Sequence, residues 1–125
     1  MNAGSFVPDA VLSRLPSLSR ADVDGLDFGA VKLDDDGTIL LYNRYESELA
    51  GISPLDAEGR SFFTEVAPCT NNRLFAGKFR AGVEADALRE QFGYTFTYRM
   101  RPTMVRIEMH RDANSGDNWL FVKKA

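Results

Sequence analysis

The last third of the chain alternates apolar and polar side chains, and this period of two constrains the fold more than any other feature. The alternation runs through residues 94–101 and again through residues 103–111. The apolar positions are Tyr94, Phe96, Tyr98 and Met100 in the first segment, and Val105, Ile107 and Met109 in the second. Such alternation is typical of strands with one buried face. We therefore expect two strands, with Arg106, Glu108 and His110 on a solvated face.

Three further strands are predicted around this pair. The segment 29–34 is joined to 38–43 by an Asp/Gly turn, which indicates a hairpin, and "NWLFVKK" follows a turn at "SGD". Gly and Pro divide residues 44–68 into short helical turns, while apolar residues at 75, 79, 83 and 88 predict a helix of about three to four turns. The sum is an α+β fold, a five-stranded antiparallel sheet with helices on one face, as in PAS domains.

We expect one compact domain with a loosely attached cap. The chain of 125 residues is long enough to bury a core of its own. Within residues 1–25, Val11, Leu12 and Leu15 form one apolar helical face that Pro16 interrupts, and Ser19 begins a second short turn. The predicted division is therefore a helical cap at 1–25 and a PAS core at 26–125.

Charge and composition exclude several classes of partner. A formal net charge of −3 gives no attraction to nucleic acid or to an anionic membrane. No apolar run approaches the roughly 20 residues that a spanning helix needs, and the N-terminus lacks the pattern of a secretory leader. We expect a cytoplasmic protein, and nothing in the charge suggests an obligate oligomer, so we expect a monomer.

Cys69 is the only cysteine, in the segment "EVAPCTNN". No metal site is expected, since neither Cys69 nor His110 has further ligands at a suitable spacing. A thiol nucleophile needs a base, and the one histidine is expected in solvent. A lone cysteine is most often a small buried apolar residue. Without further signals, the sequence indicates that Tyr42 is an ordinary strand-end tyrosine and that Glu46 is a solvated helix residue.

Several motifs change this interpretation. They are "DGLDFGAVKLDDDG", "YNRYE", "SFFTEVAPCT", "GKFRAGV", "YTFTYRM" and "SGDNWLFVKK". Over most of its length the sequence resembles the photoactive yellow proteins, bacterial blue-light sensors with the PAS fold. The combination of "VAPCT", "YTFTYRM" and an upstream Tyr-x-x-x-Glu is specific to that family.

The resemblance implies a cofactor and its site. In the family, p-coumaric acid (4-hydroxycinnamic acid) is bound as a thioester to the cysteine that matches Cys69, and its phenol is a buried phenolate in the dark. Tyr42 and Glu46 match the two side chains that donate to the phenolate oxygen, and the Cys69 N–H matches the donor to the thioester carbonyl. Tyr94 matches a ring at the edge of the chromophore. The residues matching the pocket lining are Phe62, Phe96, Tyr98 and Met100.

The implied arrangement is physically consistent. A buried phenolate needs strong donors, and Glu46 donates only while it is protonated. Burial and a neighbouring anion both raise the pKa of a carboxylic acid, so Glu46 is expected to be neutral. In the family, blue light isomerises the double bond and the carbonyl flips, after which Glu46 gives its proton to the phenolate. The carboxylate left in the interior is expected to loosen the segment 1–25.

The chain departs from the usual family pattern at two pocket positions. Ala50 stands where a threonine supports the tyrosine, and Ile52 stands where an arginine covers the phenolate side. Ala50 predicts a small red shift or a second dark form, and Ile52 predicts altered photocycle timing of unknown sign. Tyr45 is bulky where a small residue is common, and the sequence does not predict its effect. Met100 is retained, so dark recovery is not expected to be exceptionally slow.

Two alternatives to a photoreceptor stay open. One is a PAS module that binds a ligand or a protein and carries no chromophore. The other is a small thiol enzyme, which the missing Cys–His–Asp/Asn arrangement disfavours, so we expect no enzyme activity. The 125 residues contain no effector domain, so a signal is expected to leave through an unidentified downstream protein or a neighbouring domain.

Overall fold

The computed structural model, which describes residues 5–97 and 101–125, is built on a five-stranded antiparallel sheet in the order β2-β1-β5-β4-β3. The strands are β1 (Gly29–Leu33), β2 (Ile39–Tyr42), β3 (Arg89–Phe96), β4 (Thr103–Arg111) and β5 (Asn118–Lys124). The predicted five-stranded antiparallel sheet is thus confirmed. The hairpin β1–β2 and the strands β4 and β5 lie within one residue of their predicted positions.

Short helices connect and flank the strands. They are α1 (Asp9–Leu12), α2 (Arg20–Asp24), α3 (Arg44–Ala50), α4 (Pro54–Ala57) and α5 (Ala76–Glu84). A 3-10 turn lies at Leu15–Ser17, a π-helical turn at Phe62–Val66 and a second 3-10 turn at Pro68–Thr70. Side chains of Ser19, Asn43, Ser53 and Ser61 cap helix N-termini. Among the described residues, no helix is long and apolar enough to cross a membrane.

Both faces of the sheet are covered, which the sequence analysis did not foresee. Leu120 and Val122 of β5 face a core beneath α3, α4 and α5, and we call this side the pocket face. Trp119 and Phe121 face a second core, beneath the N-terminal segment, and we call this side the cap face. Because β5 is central and buried on both sides, it reads as a continuous apolar run rather than an alternating one.

The described part of the cap, residues 5–25, packs across the cap face. Val7, Leu15 and Val23 are buried there against Phe28 and Trp119. The apolar residues of α1 and the turn after it join the same cluster, as the sequence pattern predicted. The division into a cap at 1–25 and a core at 26–125 stays a prediction, because the two share this buried interface.

The prediction that Glu108 and His110 lie in solvent is wrong. Glu108 is 1% exposed and His110 is 6% exposed, although Arg106 on the same face is exposed. Residues 5–7 lie over this part of β4 and remove it from water. Period-two alternation identifies the two faces of a strand, but it does not reveal that a distant segment covers the polar one.

Helix α5 and strand β3 differ from their predicted bounds. The helix has nine residues and ends at Glu84, so it is shorter than expected. The chain reverses at Asp86, where φ is 52°, and Leu88 folds back onto the helix, where a Cβ on Gly82 would lie 2.5 Å from its Cδ1. Leu88 therefore contributes to the same core without belonging to the helix. Strand β3 begins right after it, five residues earlier than predicted.

Candidate functional site

One pocket on the pocket face gathers most of the residues that the sequence singled out. It is lined by Tyr42, Glu46, Ala50, Ile52, Val66, Ala67, Cys69 and Phe96. Its free volume is about 20 Å³, close to the minimum that holds one water molecule. A group the size of a phenol ring therefore enters only if side chains of the wall move.

The turn from β2 into α3 places the two acidic groups of the pocket. Tyr42 is the last residue of β2, and Asn43 caps α3 through its Oδ1, which accepts from the N–H of Glu46 at 3.2 Å. The same oxygen accepts from the N–H of Ala30 at 2.9 Å. The cap fixes the first turn of the helix against β1, so the phenol of Tyr42 and the carboxyl of Glu46 both line the pocket.

Asn43 also reaches the cap. Its Nδ2 donates to the carbonyl of Val23 at 2.8 Å and to the carbonyl of Phe28 at 3.0 Å. Asn43 is fully buried, so each of these bonds forms away from water. One side chain thus joins the backbone of Glu46 to the last turn of α2.

Glu46 is buried without a partner for one of its oxygens. The side chain is 2% exposed, and Oε1 has no hydrogen-bond partner among the described residues. Burial raises the pKa of Glu46 to about 8, so at neutral pH the group is a carboxylic acid that can donate. It fits closely, since a Cβ on Gly29 would lie 2.5 Å from Oε1.

Tyr42 is also held as the neutral acid. It is 1% exposed, and burial, followed by the nearby Glu46, raises the pKa of its phenol. Its backbone N–H donates to Oε2 of Glu58 at 3.0 Å, which pairs the edge of β2 with the segment after α4. The pocket therefore contains two neutral hydroxyl donors, one phenolic and one carboxylic.

A hydrogen-bonded turn presents the thiol. Cys69 lies in the 3-10 turn Pro68–Thr70, is partly buried and forms no disulfide. Its carbonyl accepts from the Tyr94 hydroxyl at 2.6 Å and from Nδ2 of Asn72 at 3.2 Å. Asn72 also donates to the Tyr94 oxygen at 2.6 Å. These bonds tie the backbone at Cys69 to strand β3.

The structure brings together six of the predicted site residues: Tyr42, Glu46, Ala50, Ile52, Cys69 and Phe96. Phe62 is fully buried in the same core but packs against Phe63 and Phe75 and does not line the pocket. Tyr98 and Met100 lie outside the described residues. Tyr45 lies apart from the pocket, where its hydroxyl accepts from the N–H of Lys124 at 3.2 Å.

Sequence reasoning missed Val66 and Ala67 in the wall and Asn43, Asn72 and Gly29 in its support. Val66 and Ala67 directly precede "PC", so a turn presenting Cys69 to a pocket implies that they are close. Asn43 before a helix is a recognisable N-cap signal. Nothing in the sequence signals the contact of Asn72 with Tyr94 or of Gly29 with Glu46, because these partners are distant along the chain.

Cys69 and His110 lie on opposite sides of the sheet. Cys69 packs with the core of the pocket face, whereas His110 contacts Glu108 and the ring of Phe121 on the cap face. The histidine therefore cannot take the proton of the thiol, and a Cys–His nucleophile is not formed. Within the ranges 5–97 and 101–125, no group of three or more His, Cys, Asp or Glu side chains is placed to hold a metal ion.

The pocket suits an acyl group that ends in a phenol. The thiol can form a thioester, the walls are apolar, and Oε1 of Glu46 lacks a partner in the described structure. A neutral acid and a neutral phenol can both donate to an anionic oxygen, and such charge-assisted bonds are the strong ones. The residues present thus fit the chromophore that the resemblance implies.

Comparison with known proteins finds similar sequences over nearly the whole chain. A family model described as the PAS fold matches residues 19–122. A photoactive yellow protein from Rhodothalassium salexigens is 43% identical over 119 residues, which cover 95% of each chain. A photoactive yellow protein from Halochromatium salexigens is 38% identical and covers 99% of each chain.

Solved structures show the same relationship. The photoactive yellow protein domain from the sensor histidine kinase Ppr of Rhodospirillum centenum superposes with a TM-score of 0.85 at 40% identity, covering 90% of this chain and 98% of that one. The PAS domain of an HTR-like protein from Haloarcula marismortui superposes with a TM-score of 0.65 at 19% identity, covering 94% and 93%. The second similarity concerns the fold alone.

Proposed function

Because this chain belongs to the photoactive yellow protein family of the PAS fold, we propose that it is a blue-light photoreceptor carrying p-coumaric acid as a thioester on Cys69. The observation that carries the proposal is the unpartnered Oε1 of Glu46, buried in a pocket that Cys69 and Tyr42 also line. Among residues 5–97 and 101–125 this acid has no partner that explains its burial, and we infer that a ligand oxygen supplies one.

Each side chain has a definite task in this proposal. Cys69 is the covalent tether, and Tyr94 and Asn72 hold its backbone in place. Tyr42 and Glu46 donate hydrogen bonds to the phenolate oxygen, and the Cys69 N–H donates to the thioester carbonyl. Ala50, Ile52 and Phe96 belong to the described wall, and the lining role proposed for Tyr98 and Met100 rests on the resemblance alone. The bound chromophore supplies the absorption of blue light and a trans–cis isomerisation.

Glu46 converts this event into a structural signal by moving a proton. Its raised pKa makes it a proton reservoir at neutral pH. Once the proton is given up, an ionised carboxylate lies buried with an oxygen that has no partner among the described residues, which costs several kcal/mol. Domain stabilities are only about 5–15 kcal/mol, so this cost is enough to open a weakly packed element.

The cap is the element that this change reaches first. Asn43 binds the N–H of Glu46 and the carbonyl of Val23 in α2 through one side chain. Movement of the first turn of α3 therefore strains a bond to the cap directly. We propose that residues 1–25 loosen in the signalling state.

Reconstitution tests the proposal. The protein is incubated with activated p-coumaric acid, and its mass and its light-minus-dark spectrum are recorded. We expect a mass increase of one coumaroyl group and a yellow protein that bleaches in blue light and recovers in the dark. Cys69→Ala is the matched control, because Cys69 is the only cysteine, and it should gain neither mass nor colour.

A PAS module without a chromophore is the second candidate, favoured by the free volume of about 20 Å³. Wild-type protein that stays colourless and unmodified under conditions that load a family member supports it. A thiol enzyme is disfavoured, because His110 and Cys69 lie on opposite faces. Steady hydrolysis of a p-coumaroyl thioester by the purified protein would support the hypothesis that it is a thiol enzyme.

The output of the signal is a contact with another protein or domain. The neighbour from Rhodospirillum centenum is a domain of a sensor histidine kinase. For this chain we propose a monomer whose lit form is recognised by a downstream signalling protein.

A further inference from the structure

A buried carboxylate on the cap face lies outside the pocket and takes no part in the proposed photochemistry. Glu108 of β4 is 1% exposed. Its Oε1 accepts from the Ser5 hydroxyl at 2.9 Å, and its Oε2 accepts from the N–H of Phe6 at 2.5 Å and the N–H of Val7 at 3.3 Å. Three consecutive residues of the N-terminal segment thus converge on one side chain.

His110 adds a fourth donor from the sheet itself. Its Nε2 lies 3.2 Å from Oε1 of Glu108. Burial lowers the pKa of His110, so at neutral pH the ring is neutral. Because the carboxylate oxygen of Glu108 can only accept, the proton of the ring lies on Nε2. His110 therefore orients the carboxylate toward the N-terminal segment without adding a charge.

The described part of the N-terminal segment has few other polar attachments. Residues 5–7 belong to no helix or strand, and the first backbone hydrogen bond of the described chain runs from Val11 to Pro8. Within the described structure, the N–H groups of Phe6 and Val7 donate only to Glu108. The other contacts include the Phe6 ring edge-on to Phe28 at 5.5 Å, the Arg106 guanidinium over the same ring at 5.7 Å, and a bond within the segment from the Ser5 hydroxyl to the Val7 carbonyl at 3.3 Å.

Solvent can reach the edge of this attachment. A cavity of about 220 Å³ lies between the segment and strands β3 and β4, lined by Phe6, Gln91, Phe92, Gly93, Arg106, Ile107 and Glu108. Water entering there competes for the carboxylate as soon as the amides begin to separate. The attachment can therefore open locally, before the rest of the cap is disturbed.

We propose that Glu108 is a positioning residue that fastens residues 5–7 to the cap face and sets how readily the N-terminal segment leaves the sheet. A charged acceptor holding two backbone amides and a hydroxyl is a strong, directional restraint on residues 5–7. The attachment itself is independent of the chromophore. Its effect on the lit state rests on the proposed function.

Glu108→Gln tests the attachment by hydrogen exchange in chromophore-free protein. The amide of glutamine presents an NH₂ group to donors that need an acceptor, and it removes the charge. We expect the amides of Phe6 and Val7 to lose protection by about 10- to 100-fold, as for loss of a charged hydrogen bond. Amides in the centre of the sheet, such as Leu120, should keep theirs. Glu90→Gln is the matched control, because its half-exposed carboxylate pairs with Lys78 at 3.8 Å and takes no part in holding residues 5–7.

A double-mutant cycle separates the attachment from general loss of stability. Ser5→Ala removes one donor at the segment and leaves the sheet intact, so it serves even where Glu108→Gln folds poorly. Alone it should reduce protection at Phe6 and Val7 by about 2- to 10-fold. With Glu108→Gln it should add little, because the acceptor is already altered. Unchanged protection at both amides in either single variant, or fully additive effects, overturns the proposal.

Illumination of loaded protein distinguishes this proposal from the proposed function. In wild type, light should lower protection at Phe6 and Val7, and in Glu108→Gln this light-induced change should be smaller because the segment is already loose in the dark. A chain that takes no chromophore contradicts the photoreceptor, yet the dark measurement still decides the role of Glu108.

Discussion

The two faces of the sheet each bury a glutamate, and the two side chains are treated in opposite ways. On the pocket face, Oε1 of Glu46 has no partner in the described structure, and the pKa of the group is raised to about 8. On the cap face, the two oxygens of Glu108 accept from Ser5, Phe6, Val7 and His110. The surroundings of the first favour a neutral acid, whereas those of the second suit a carboxylate.

The difference distinguishes a binding site, at Glu46, from a structural attachment, at Glu108. A buried acid without partners lowers the stability of the chain alone, so its presence indicates a bound partner or a reaction. When both oxygens of a buried acid accept hydrogen bonds, its burial is explained by the segment that it holds in place. Depth of burial alone, which is nearly equal for the two, does not distinguish these roles.

The largest effect is expected from Glu46→Gln in chromophore-free protein. The folded state keeps the proton of Glu46 up to about pH 8, while the unfolded state loses it near 4.5, so wild-type stability falls as pH rises through this window. The variant lacks this loss. Relative to it, wild type should lose roughly 3–4 kcal/mol between pH 5 and pH 8, measured by urea unfolding at each pH.

Glu48→Gln is the control for that experiment, because Glu48 is an exposed residue of the same helix. It should follow the wild-type pH profile. A Glu46→Gln profile parallel to that of wild type would falsify the neutral state of the Glu46 acid on the pocket face.

Gly29→Ala sharpens the comparison by testing how closely Glu46 is enclosed. The added Cβ would lie 2.5 Å from Oε1 of Glu46 and 3.2 Å from Cβ of Val122. We expect a loss of about 1–3 kcal/mol in the free energy of unfolding, as for overpacking. Combining it with Glu46→Ala should recover part of this loss in a double-mutant cycle. Strict additivity would show that the two groups do not touch.

His110→Gln tests the cap face through its pH dependence. Burial, opposed by Glu108 and assisted by Arg89, lowers the pKa of His110, so the unfolded state binds the proton more readily. Wild-type stability therefore declines as pH falls below about 6.5 and through the lower folded-state pKa. The glutamine variant should lack this decline. Since the chain has one histidine, the difference between the two unfolding profiles reports on that residue, and identical profiles would contradict its buried, neutral state.

The smallest effect is expected from Ala50→Thr in chromophore-loaded protein. The added hydroxyl can support Tyr42, which lines the same pocket, and thereby strengthen its bond to the phenolate oxygen. We expect a slight blue shift of the absorption maximum or loss of a second dark form. Ala50→Val, similar in size without the hydroxyl, separates the hydrogen bond from the change in volume. An unchanged spectrum in Ala50→Thr refutes the hypothesis that a hydroxyl at position 50 strengthens the bond from Tyr42 to the phenolate oxygen.

Much of the fold could be read from the sequence because local signals agree with it. The Asp/Gly turn marked the β1–β2 hairpin, and period-two alternation marked β4. The end of α5 was misplaced because Leu88 continues the apolar spacing after the chain has already turned at Asp86. The burial of Glu108 was not predicted because the residues that cover it and donate to it, Ser5, Phe6 and Val7, lie more than 100 residues away along the chain.

The site depended on the resemblance more than on any pattern. Spacing alone left Tyr42 and Glu46 as ordinary residues, and only tertiary packing brings them beside Cys69. Glu46 and Glu108 look alike in the sequence, since each is a glutamate near apolar residues. What distinguishes them is the presence of hydrogen-bond donors from other elements, which a single sequence does not encode locally.

The position of β5 has a consequence for how the molecule is assembled. The hairpins β1–β2 and β3–β4 can each form from neighbouring segments, but only β5 joins them, pairing Val31 with Leu120 and Glu108 with Phe121. During synthesis, β1 and β4 therefore lack their partner strand until residues 118–124 have been made. Closing the sheet is then one late, long-range event in the folding of this domain.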